Sequence, residues 1–543
     1  MRDSYRVLLL SFLCLVLYLP ALGNRDLWGT VETEYAQVAR ETLQSASWEG
    51  WLVPHFNGNP YNEKPPLYFW LIALASQPVG DVTEFTARLP SALAALGTVI
   101  VLYFLGKALL NEQAGFLASL MLLGSPGFFR SACVVRIDMP VVFFFTLSLA
   151  GFYMGLATSR RRFFLLGWFS AALTGLAKGP IYPLLIVLIL FSYMTLSRRD
   201  RALALSEVDR PEGLSLHLRL GALVFFGTIG LWLVPVYFKA EPYLRGLFTW
   251  GVWYLREKEY HAESFYFYLP QFMAGMAPWS VFVPLALYSY YKGTGDRRQE
   301  AGGRKTVIPV TCYLLPVTWL LFGLVAFSLL STKHSRYILF IYPAGALMAA
   351  QVWGGYWVKS APLWYWRRCL PVLIIAALLG VAVALFVGER LPYPTLNLSL
   401  AGTGMLTAVY LSYRASQMRL LFGAVLLVLT VSQGVYYRFL LPLQNGAHSE
   451  RPLCQKLLGV MEPGAKWAVY RVCRPSFTYY TRTFPSNIYS EEQLVAFLSS
   501  KEKVYCLFDE ADYRGLGLSV CKVAEFSNPK KRGTSFVLVS NKP

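Results

Sequence analysis

The chain has 543 residues, of which 55% are hydrophobic and only 15% are charged, and its mean hydropathy is +0.42. A soluble protein of this length cannot bury so much apolar surface, so the composition excludes an ordinary soluble domain and indicates an integral membrane protein. The formal net charge is +19, from 50 Lys and Arg against 31 Asp and Glu.

Long apolar runs recur along the chain and predict a mainly α, polytopic membrane domain. The first two runs extend from Val7 to Leu22 and from Leu89 to Leu105. Later runs approach the roughly 20 residues that cross a bilayer as a helix; they are 163–176, 181–196, 221–238, 307–330, 337–357, 370–387 and 420–437. We predict about thirteen transmembrane helices within residues 1–441.

The basic residues mark every second loop, which argues against a nucleic-acid partner and orients the chain in the membrane. Since positively charged loops stay cytoplasmic during insertion, the amino terminus and these loops are predicted to lie inside. The loops 24–88, 130–138, 239–264 and 331–336, and everything after residue 438, are then predicted to lie outside. The alternation also favours a retained first helix over a cleaved signal peptide.

Residues 442–543 predict a small extramembrane α/β domain. The long apolar runs stop here, and short strand-like segments follow at 467–472, 504–508, 520–526 and 535–539. Ser490-Glu-Glu-Gln493 predicts a capping box that opens a short helix. The four cysteines of this tail, Cys454, Cys473, Cys506 and Cys521, allow three disulfide pairings.

The outer loop 24–88 carries the densest polar motifs. Thr30 is expected to cap a helix with Glu32 and Glu34 at its entrance, where they act either as catalytic groups or as surface acids that neutralise the helix dipole. The prolines Pro65 and Pro66 are expected to hold Glu63 and Lys64 in an extended segment. The lysine can neutralise a lipid phosphate, and the alternative is ordinary anchoring at the interface.

Further charges stand at predicted outer helix ends. Asp138 opens an apolar run, and an acid at that depth is a functional candidate unless it only pairs with Arg136. Together with Lys64, a set of basic side chains could surround a phosphodiester; they are Lys178, Arg256, Lys258, His261, Lys333, His334 and Arg336. A lone histidine is weak evidence for a metal.

Taken together, these motifs resemble the GT-C class of lipid-linked sugar transferases, specifically the aminoarabinose transferase and protein O-mannosyltransferase-like family. The resemblance rests on Glu32-Thr33-x-Tyr35-Ala36, Ala39-Arg40-Glu41, Asn57-Gly58, Tyr61-x-Glu63-Lys64-Pro65-Pro66, Ala87-Arg88-Leu89, Asp138-Met139, Lys178-Gly179 and the segment 337–343. The tail beyond Pro442 matches only in position.

This resemblance implies an enzyme of the bacterial inner membrane whose carboxy-terminal domain is periplasmic. It implies transfer of a sugar from a polyprenyl-phosphate donor to lipid A or another envelope glycolipid, among membrane lipids, with a protein hydroxyl as the alternative acceptor. Lys64, joined by Arg256, Lys258, Lys333 and Arg336, is expected to bind the donor phosphate. Glu63 and His261 are expected to hold a divalent metal, either zinc, magnesium or manganese.

The implied catalytic carboxylates are Glu32, Glu34 and Asp138, but the chain departs from the family in the first loop. Val31 replaces the family's Asp, and Glu34 stands where an Arg is usual. Three possibilities follow: a relocated base, an acidic acceptor or a weakly active relative. We predict relocation to Glu32. A transporter or flippase of lipid-linked substrates is the alternative of another class, although repeated halves and broken helices are not visible in the sequence.

Overall fold

The computed structural model describes residues 2–201, 211–256, 263–295, 311–330, 332–357, 418–472, 474–516, 520–528 and 534–543. The chain forms two compact units. The first, here the membrane unit, comprises Met1–Leu22, Asn62–Tyr68 and Arg88–Arg438; the second, here the sheet unit, comprises Gly23–Tyr61, Phe69–Ala87 and Phe439–Pro543. Most of the loop 24–88 therefore clusters with the tail rather than with the membrane helices.

Helices account for most of the described chain. Up to the first gap they are α1 (Arg2–Leu22), α2 (Gly29–Gln44), α3 (Trp48–Leu52), α4 (Leu67–Ser76), α5 (Glu84–Leu109), α6 (Glu112–Leu123), α7 (Pro126–Ala132), α8 (Asp138–Thr158), α9 (Arg161–Lys178) and α10 (Ile181–Arg201). They continue with α11 (Pro211–Arg256), α12 (Tyr268–Gly275), α13 (Phe282–Gly295), α14 (Thr311–Ser328), α15 (Tyr342–Trp357) and α16 (Met418–Val435). Short 3-10 turns at Gln77–Val79, Trp279–Val281 and Ser335–Ile341 connect some of them.

The prediction of a polytopic helical domain followed by a small α/β domain is confirmed. Six helical segments in the described ranges are long and apolar enough to cross a membrane, and four shorter apolar helices accompany them. The apolar run 370–387 lies outside the described residues, so the count of about thirteen spans stays a prediction.

Helices α8 and α9 form a tightly packed hairpin in the membrane unit. A Cβ atom added at Gly151 of α8 would lie 2.8 Å from the backbone nitrogen of Gly167 in α9, so the two backbones approach as closely as small residues allow. Ser148 donates a hydrogen bond of 2.8 Å to the Gly167 carbonyl. Gly179 ends α9 with φ of +93°, a conformation open to glycine, and lets the chain turn back into α10. The hairpin thereby brings the first residue of α8 and the last residue of α9 to the same end.

The sheet unit contains a five-stranded sheet that is covered by short helices. The strands β3 (Lys466–Tyr470), β4 (Ser486–Ile488), β5 (Val504–Asp509), β6 (Cys521–Ser527) and β7 (Ser535–Ser540) lie in the order β4-β3-β5-β7-β6. The pairs of β3 with β4 and with β5 are parallel, while β7 pairs antiparallel with β5 and with β6. Between the strands lie α17 (Asn445–His448), α18 (Arg451–Val460), α19 (Pro475–Thr481), α20 (Glu491–Leu498) and α21 (Glu510–Leu516).

Local sequence signals explain much of this unit. The capping box is confirmed, since Ser490 accepts from the Gln493 amide and the Gln493 side chain accepts from the Ser490 amide. The expectation for Thr30 was wrong: the residue before α2 is Trp28, and no side chain caps that helix.

The first loop also contains a small hairpin, β1 (His55–Phe56) and β2 (Asn59–Pro60). Its turn, Asn57-Gly58, has positive φ at both residues, as this dipeptide favours.

The tail cysteines that the structure describes are free thiols. Cys454 and Cys506 are buried on opposite faces of the sheet, and Cys521 is half-buried in β6. Strand β7 separates Cys506 from Cys521, because Cys506 pairs with Val539 and Cys521 with Ser540. A disulfide needs Cα atoms within about 7 Å, which two strands separated by a third do not provide. Cys473 lies outside the described residues.

We expect Cys506 to resist alkylation in the folded protein. Burial raises the pKa of its thiol to about 12, so the reactive thiolate is scarce at neutral pH and the chain must also open to admit a reagent. Peptide mass spectrometry after maleimide treatment should find Cys521 labelled under native conditions and Cys506 labelled only after unfolding. Rapid native labelling of Cys506, or recovery of a peptide that joins Cys506 to Cys521, would contradict this packing.

Candidate active site

A buried carboxylate with two cationic partners lies in the membrane unit. Asp138 is the first residue of α8 and accepts a hydrogen bond from the ammonium of Lys178, the last residue of α9. The guanidinium Nε of Arg336 lies 3.8 Å from the second carboxylate oxygen. The Asp138 side chain is only 6% exposed, that of Lys178 13% and that of Arg336 32%. Asp138 thus pairs with Lys178 and Arg336, so it does not pair only with Arg136, the alternative that the sequence left open.

Helix ends favour this arrangement of charges. A carboxylate at a helix amino terminus and an ammonium at a helix carboxy terminus both interact favourably with the helix dipoles. The hairpin of α8 and α9 supplies both ends at one place. One negative and two positive charges leave the cluster with an excess of one positive charge, which suits an anionic ligand.

Aromatic rings surround the lysine of this cluster. The Lys178 ammonium lies 4.5 Å from the ring centroid of Tyr337 and 5.5 Å from that of Tyr182. The Arg336 guanidinium lies 5.5 Å from the Tyr337 ring. Ring faces attract cations most when water is excluded, so these contacts help to keep both cations in place.

The segment 332–341 that carries Arg336 is held by neighbouring backbone and side chains. Lys333 is buried and donates a 2.9 Å hydrogen bond to the Glu263 carbonyl. The His334 amide lies 3.3 Å from the Tyr268 hydroxyl, and the His334 ring lies 5.1 Å from the Tyr337 ring. Lys333 therefore helps to fix this segment, while Arg336 is the more exposed of its two predicted phosphate ligands.

Glu63 and Lys64 lie in a turn before α4, not in the extended segment that the prolines predicted. The Lys64 ammonium donates a 3.1 Å hydrogen bond to the Glu63 carbonyl, and the Tyr243 hydroxyl of α11 lies 3.5 Å from the Lys64 carbonyl. A Cβ atom at Gly246 would lie 2.3 Å from the side-chain nitrogen Nδ2 of Asn62, so α11 packs directly on this turn. The turn forms because Tyr61 to Pro66 must connect β2 to α4 in six residues.

Two of the predicted residues, Lys258 and His261, lie outside the described residues, and a third, Arg256, is the last residue of α11. Where the structure describes the chain, no group of three or more His, Cys, Asp or Glu side chains could hold a metal ion. The divalent metal at Glu63 and His261 therefore stays a prediction.

Glu32 forms a buried ion pair with Arg25 inside the sheet unit. Its two oxygens accept from the Arg25 guanidinium at 2.7 and 3.0 Å, and one of them also accepts from the Trp28 amide at 2.9 Å. Both side chains are about 95% buried, at 5% and 6% exposure. A carboxylate that accepts three hydrogen bonds in this way is best suited to fixing the entrance of α2.

Glu34 is more accessible and has a different partner. It is half-buried, and its carboxylate accepts a hydrogen bond from the Tyr61 hydroxyl. The hairpin that places Tyr61 is held to the same helix, because the Asn57 and Gly58 amides donate to the two Glu41 oxygens at 2.8 and 3.0 Å. The Asn-Gly turn and Glu41 therefore serve to set the Glu34–Tyr61 contact.

The sequence contained signals for several of these partners. Lys178 interrupts an apolar run immediately before a glycine, and a charge there needs a counter-charge at the same depth. Asp138 supplies that charge at the other end of the hairpin. Tyr61 and Tyr337 belonged to motifs that carry the resemblance, but no role was predicted for either ring. Tyr182 carried no signal, since aromatic residues at helix ends are common in membrane proteins.

Comparison with known proteins finds relatives of this chain by sequence. Residues 63–229 match the family model described as dolichyl-phosphate-mannose-protein mannosyltransferase. The undecaprenyl phosphate-α-4-amino-4-deoxy-L-arabinose arabinosyl transferase of Pseudomonas aeruginosa is 31% identical over 349 residues, which are 62% of this chain and 57% of that protein. The corresponding enzyme of Aeromonas hydrophila is 29% identical over 348 residues, 62% of this chain and 58% of that protein. The chain thus spans less than two thirds of the length of these relatives.

Solved structures extend the likeness to the whole chain. The crystal structure of ArnT from Cupriavidus metallidurans in the apo state superposes with a TM-score of 0.79 at 18% identity, covering 100% of this chain and 98% of that one. The same protein bound to undecaprenyl phosphate gives a TM-score of 0.79 at 19% identity, with 98% of each chain covered. The chain has the GT-C fold. The fold that the resemblance implied is thereby confirmed, and the chain is a multi-pass membrane protein.

Loss of either partner should destabilise the GT-C membrane unit more than loss of both. Asp138→Asn leaves the Lys178 ammonium without its counter-charge, and Lys178→Met leaves Asp138 with only the more distant Arg336. Breaking a buried ion pair in this way costs about 3–5 kcal/mol in the free energy of unfolding. The double variant removes both charges and should unfold at a higher temperature than either single variant in detergent. Glu241→Gln, which breaks the exposed Glu241–Arg245 pair, is the matched control and should change stability by less than about 1 kcal/mol. Additive losses in the double variant would show that the two side chains do not depend on each other.

Proposed function

We propose that this chain is a glycosyltransferase of the bacterial inner membrane that moves a sugar from a polyprenyl-phosphate donor to an acceptor at the periplasmic face. The acceptor we favour is lipid A or another envelope glycolipid. In this orientation the amino terminus is cytoplasmic and the residues after 438 are periplasmic, in keeping with the basic residues of every second loop. The observation that carries the proposal is the Asp138, Lys178 and Arg336 cluster, a buried and net positive arrangement within a GT-C fold.

The chemistry of such a transfer explains why the cations matter. The bond that breaks joins the anomeric carbon of the sugar to a phosphate oxygen, and the leaving group is the polyprenyl phosphate. Negative charge on that phosphate grows as the bond breaks, so cationic side chains that are already oriented stabilise the transition state. Asp138 would orient Lys178 and Arg336 for this purpose. Lys64, in the turn next to α11, would bind the donor phosphate as a point charge.

The acceptor hydroxyl needs a base, and we assign this role to Glu34 rather than to Glu32. Glu32 is buried and accepts two hydrogen bonds from a buried guanidinium and one from the Trp28 amide, whereas Glu34 is half-buried and lies beside the Tyr61 hydroxyl, which can stay in contact with it during a proton transfer. Val31 and Glu34 are also three residues apart in α2, and residues at that spacing lie on one face of a helix. A carboxylate at Glu34 would therefore project on the same side of α2 as an acid at position 31, displaced by about 4.5 Å along the axis.

Lys64→Ala should abolish the lipid modification without affecting membrane insertion. Envelope lipids of cells with the wild-type chain, with Lys64→Ala and without the protein would be compared by mass spectrometry, and the mass difference would identify the sugar and its acceptor. Lys239→Ala, which removes another cation near the kink of α11, is the control and should keep the modification.

A wild-type lipid profile in the Lys64→Ala strain would remove the phosphate-binding role. An unchanged profile on deletion of the whole protein, with glycosylated proteins lost, would favour a protein hydroxyl as acceptor, and accumulation of unused donor lipid on one face would favour a flippase.

Replacement of the two carboxylates should separate their roles. Glu34→Gln keeps the size and the contact with Tyr61 but removes the base, so kcat should fall by about 10²–10⁴-fold while the protein stays folded. Glu32→Gln weakens the pair with Arg25 and should mainly lower thermal stability. Initial rates and melting temperatures of both purified variants would test this. A large fall in kcat for Glu32→Gln with normal stability would reverse the assignment.

A further inference from the structure

The helix that carries Glu34 is attached to the carboxy-terminal domain at both of its ends. Helix α2 and the residues of 439–543 belong to one compact unit. Helix α19 (Pro475–Thr481), which follows β3, packs against α2. The carboxy-terminal domain therefore packs directly against α2, the helix that carries Glu34.

At the entrance of α2, two tail residues bind the backbone. The Leu27 amide donates a 2.8 Å hydrogen bond to the Tyr480 hydroxyl, and the Asp26 amide lies 3.2 Å from the Asn445 side-chain oxygen. The same Asn445 oxygen accepts from the Trp28 indole at 2.8 Å. Burial raises the pKa of Tyr480 far above its usual range, with the nearby Asp26 and Glu84 acting in the same direction, so its hydroxyl stays protonated at physiological pH.

One arginine makes the second attachment, toward the carboxy-terminal half of α2. Arg40 is 5% exposed and donates to the Tyr479 carbonyl at 2.8 Å and to the Val82 carbonyl at 3.0 Å. Its Nε donates to Asp81 at 2.7 Å, and its guanidinium lies 4.2 Å from the Tyr479 ring centroid. The Tyr479 hydroxyl in turn donates to the Val82 carbonyl at 2.9 Å. Arg40 thus joins α2, the segment 81–82 and α19 in one buried network.

We propose that the carboxy-terminal domain is a positioning element, in which Tyr479 and Tyr480 set the rotation of α2 and thereby the direction of the Glu34 carboxylate. Glu34 lies between the two attachments, seven residues after Leu27 and six before Arg40. With both attachments in place, α2 cannot turn about its axis or slide without breaking buried hydrogen bonds. The role of Glu34 rests on the proposed function, whereas the control of α2 by the domain does not.

The test combines kinetics with hydrogen exchange on the full chain in nanodiscs. The probes are undecaprenyl phosphate carrying 4-amino-4-deoxy-L-arabinose as donor and lipid A as acceptor. Tyr480→Phe removes one hydroxyl and leaves the ring, and it should lower kcat by about tenfold or more with the KM for the donor changed less than twofold, as expected when only orientation is lost. Amides of residues 29–44 should exchange faster in the same variant. Arg40→Met removes the buried hydrogen bonds to the Tyr479 and Val82 carbonyls and should act in the same direction. Tyr489→Phe, at a 58% exposed tyrosine of the same domain, should change neither quantity.

Each result decides the question. Normal kcat and normal exchange in both Arg40→Met and Tyr480→Phe would overturn the proposal, and so would a fall in kcat without faster exchange in α2. A wild-type chain that is inactive on these probes would count against the proposed function, and exchange in α2 would still test the positioning. If the variants fail to fold, the wild-type chain in mild denaturant gives the answer: residues 29–44 and 475–481 should open as one cooperative unit. Independent opening of α2 would show that the domain does not hold it.

Discussion

The membrane unit depends on keeping charges at helix ends where water is scarce. An isolated carboxylate or ammonium at that depth is costly, so Asp138 and Lys178 persist only because each compensates the other. Their meeting requires that α8 and α9 pack closely, which Gly151 and Gly167 permit, and that α9 stop abruptly, which Gly179 permits. Arg336, which approaches from the segment after α14, then adds the positive charge that an anion would need. Close backbone packing, the placement of the helix ends and the net positive charge of the cluster are therefore consequences of one arrangement.

The sheet unit holds α2, a short helix at the start of a polar loop, in one orientation. A helix of 16 residues is marginal on its own, and most of its stability must come from tertiary contacts. Here those contacts include apolar side chains such as Val38 and buried polar pairs, namely Glu32 with Arg25 inside the loop and Arg40 with Tyr479 from the tail. Such networks are directional, so they fix rotation as well as position, which apolar packing alone does poorly. This explains why the carboxylate that is most tightly bonded, Glu32, is the less suitable base.

The sequence predicted the architecture well because its signals are local or periodic. Apolar runs such as 163–176 and 181–196 correspond to α9 and α10, the capping box at Ser490 opens α20, and the strand-like segments of the tail correspond to β3, β5, β6 and β7. Strand β4 was missed because three residues give no periodicity. The partners of Asp138 could be predicted only in part, since Lys178 and Arg336 are 40 and 198 positions away in the sequence and depend on helix packing. The attachment of the loop 24–88 to the tail had no sequence signal, because Arg40 and Tyr479 are separated by the whole membrane unit.

The structure suggests a physical reason why this chain can have Val31 where the resembling family has an Asp. Loss of an acid at position 31 would leave a hydroxyl acceptor without a base, and an acid that replaced it at position 32 would point about 100° around the helix. Glu34 restores a carboxylate on nearly the same face, and it does so where the resembling family usually has an arginine, so the local charge becomes more negative. A more negative helix face repels a phosphate acceptor and tolerates a neutral one. The Tyr61 hydroxyl holds the Glu34 carboxylate in place, and under the proposed assignment a hydroxyl acceptor is the one that gains from this carboxylate as a base.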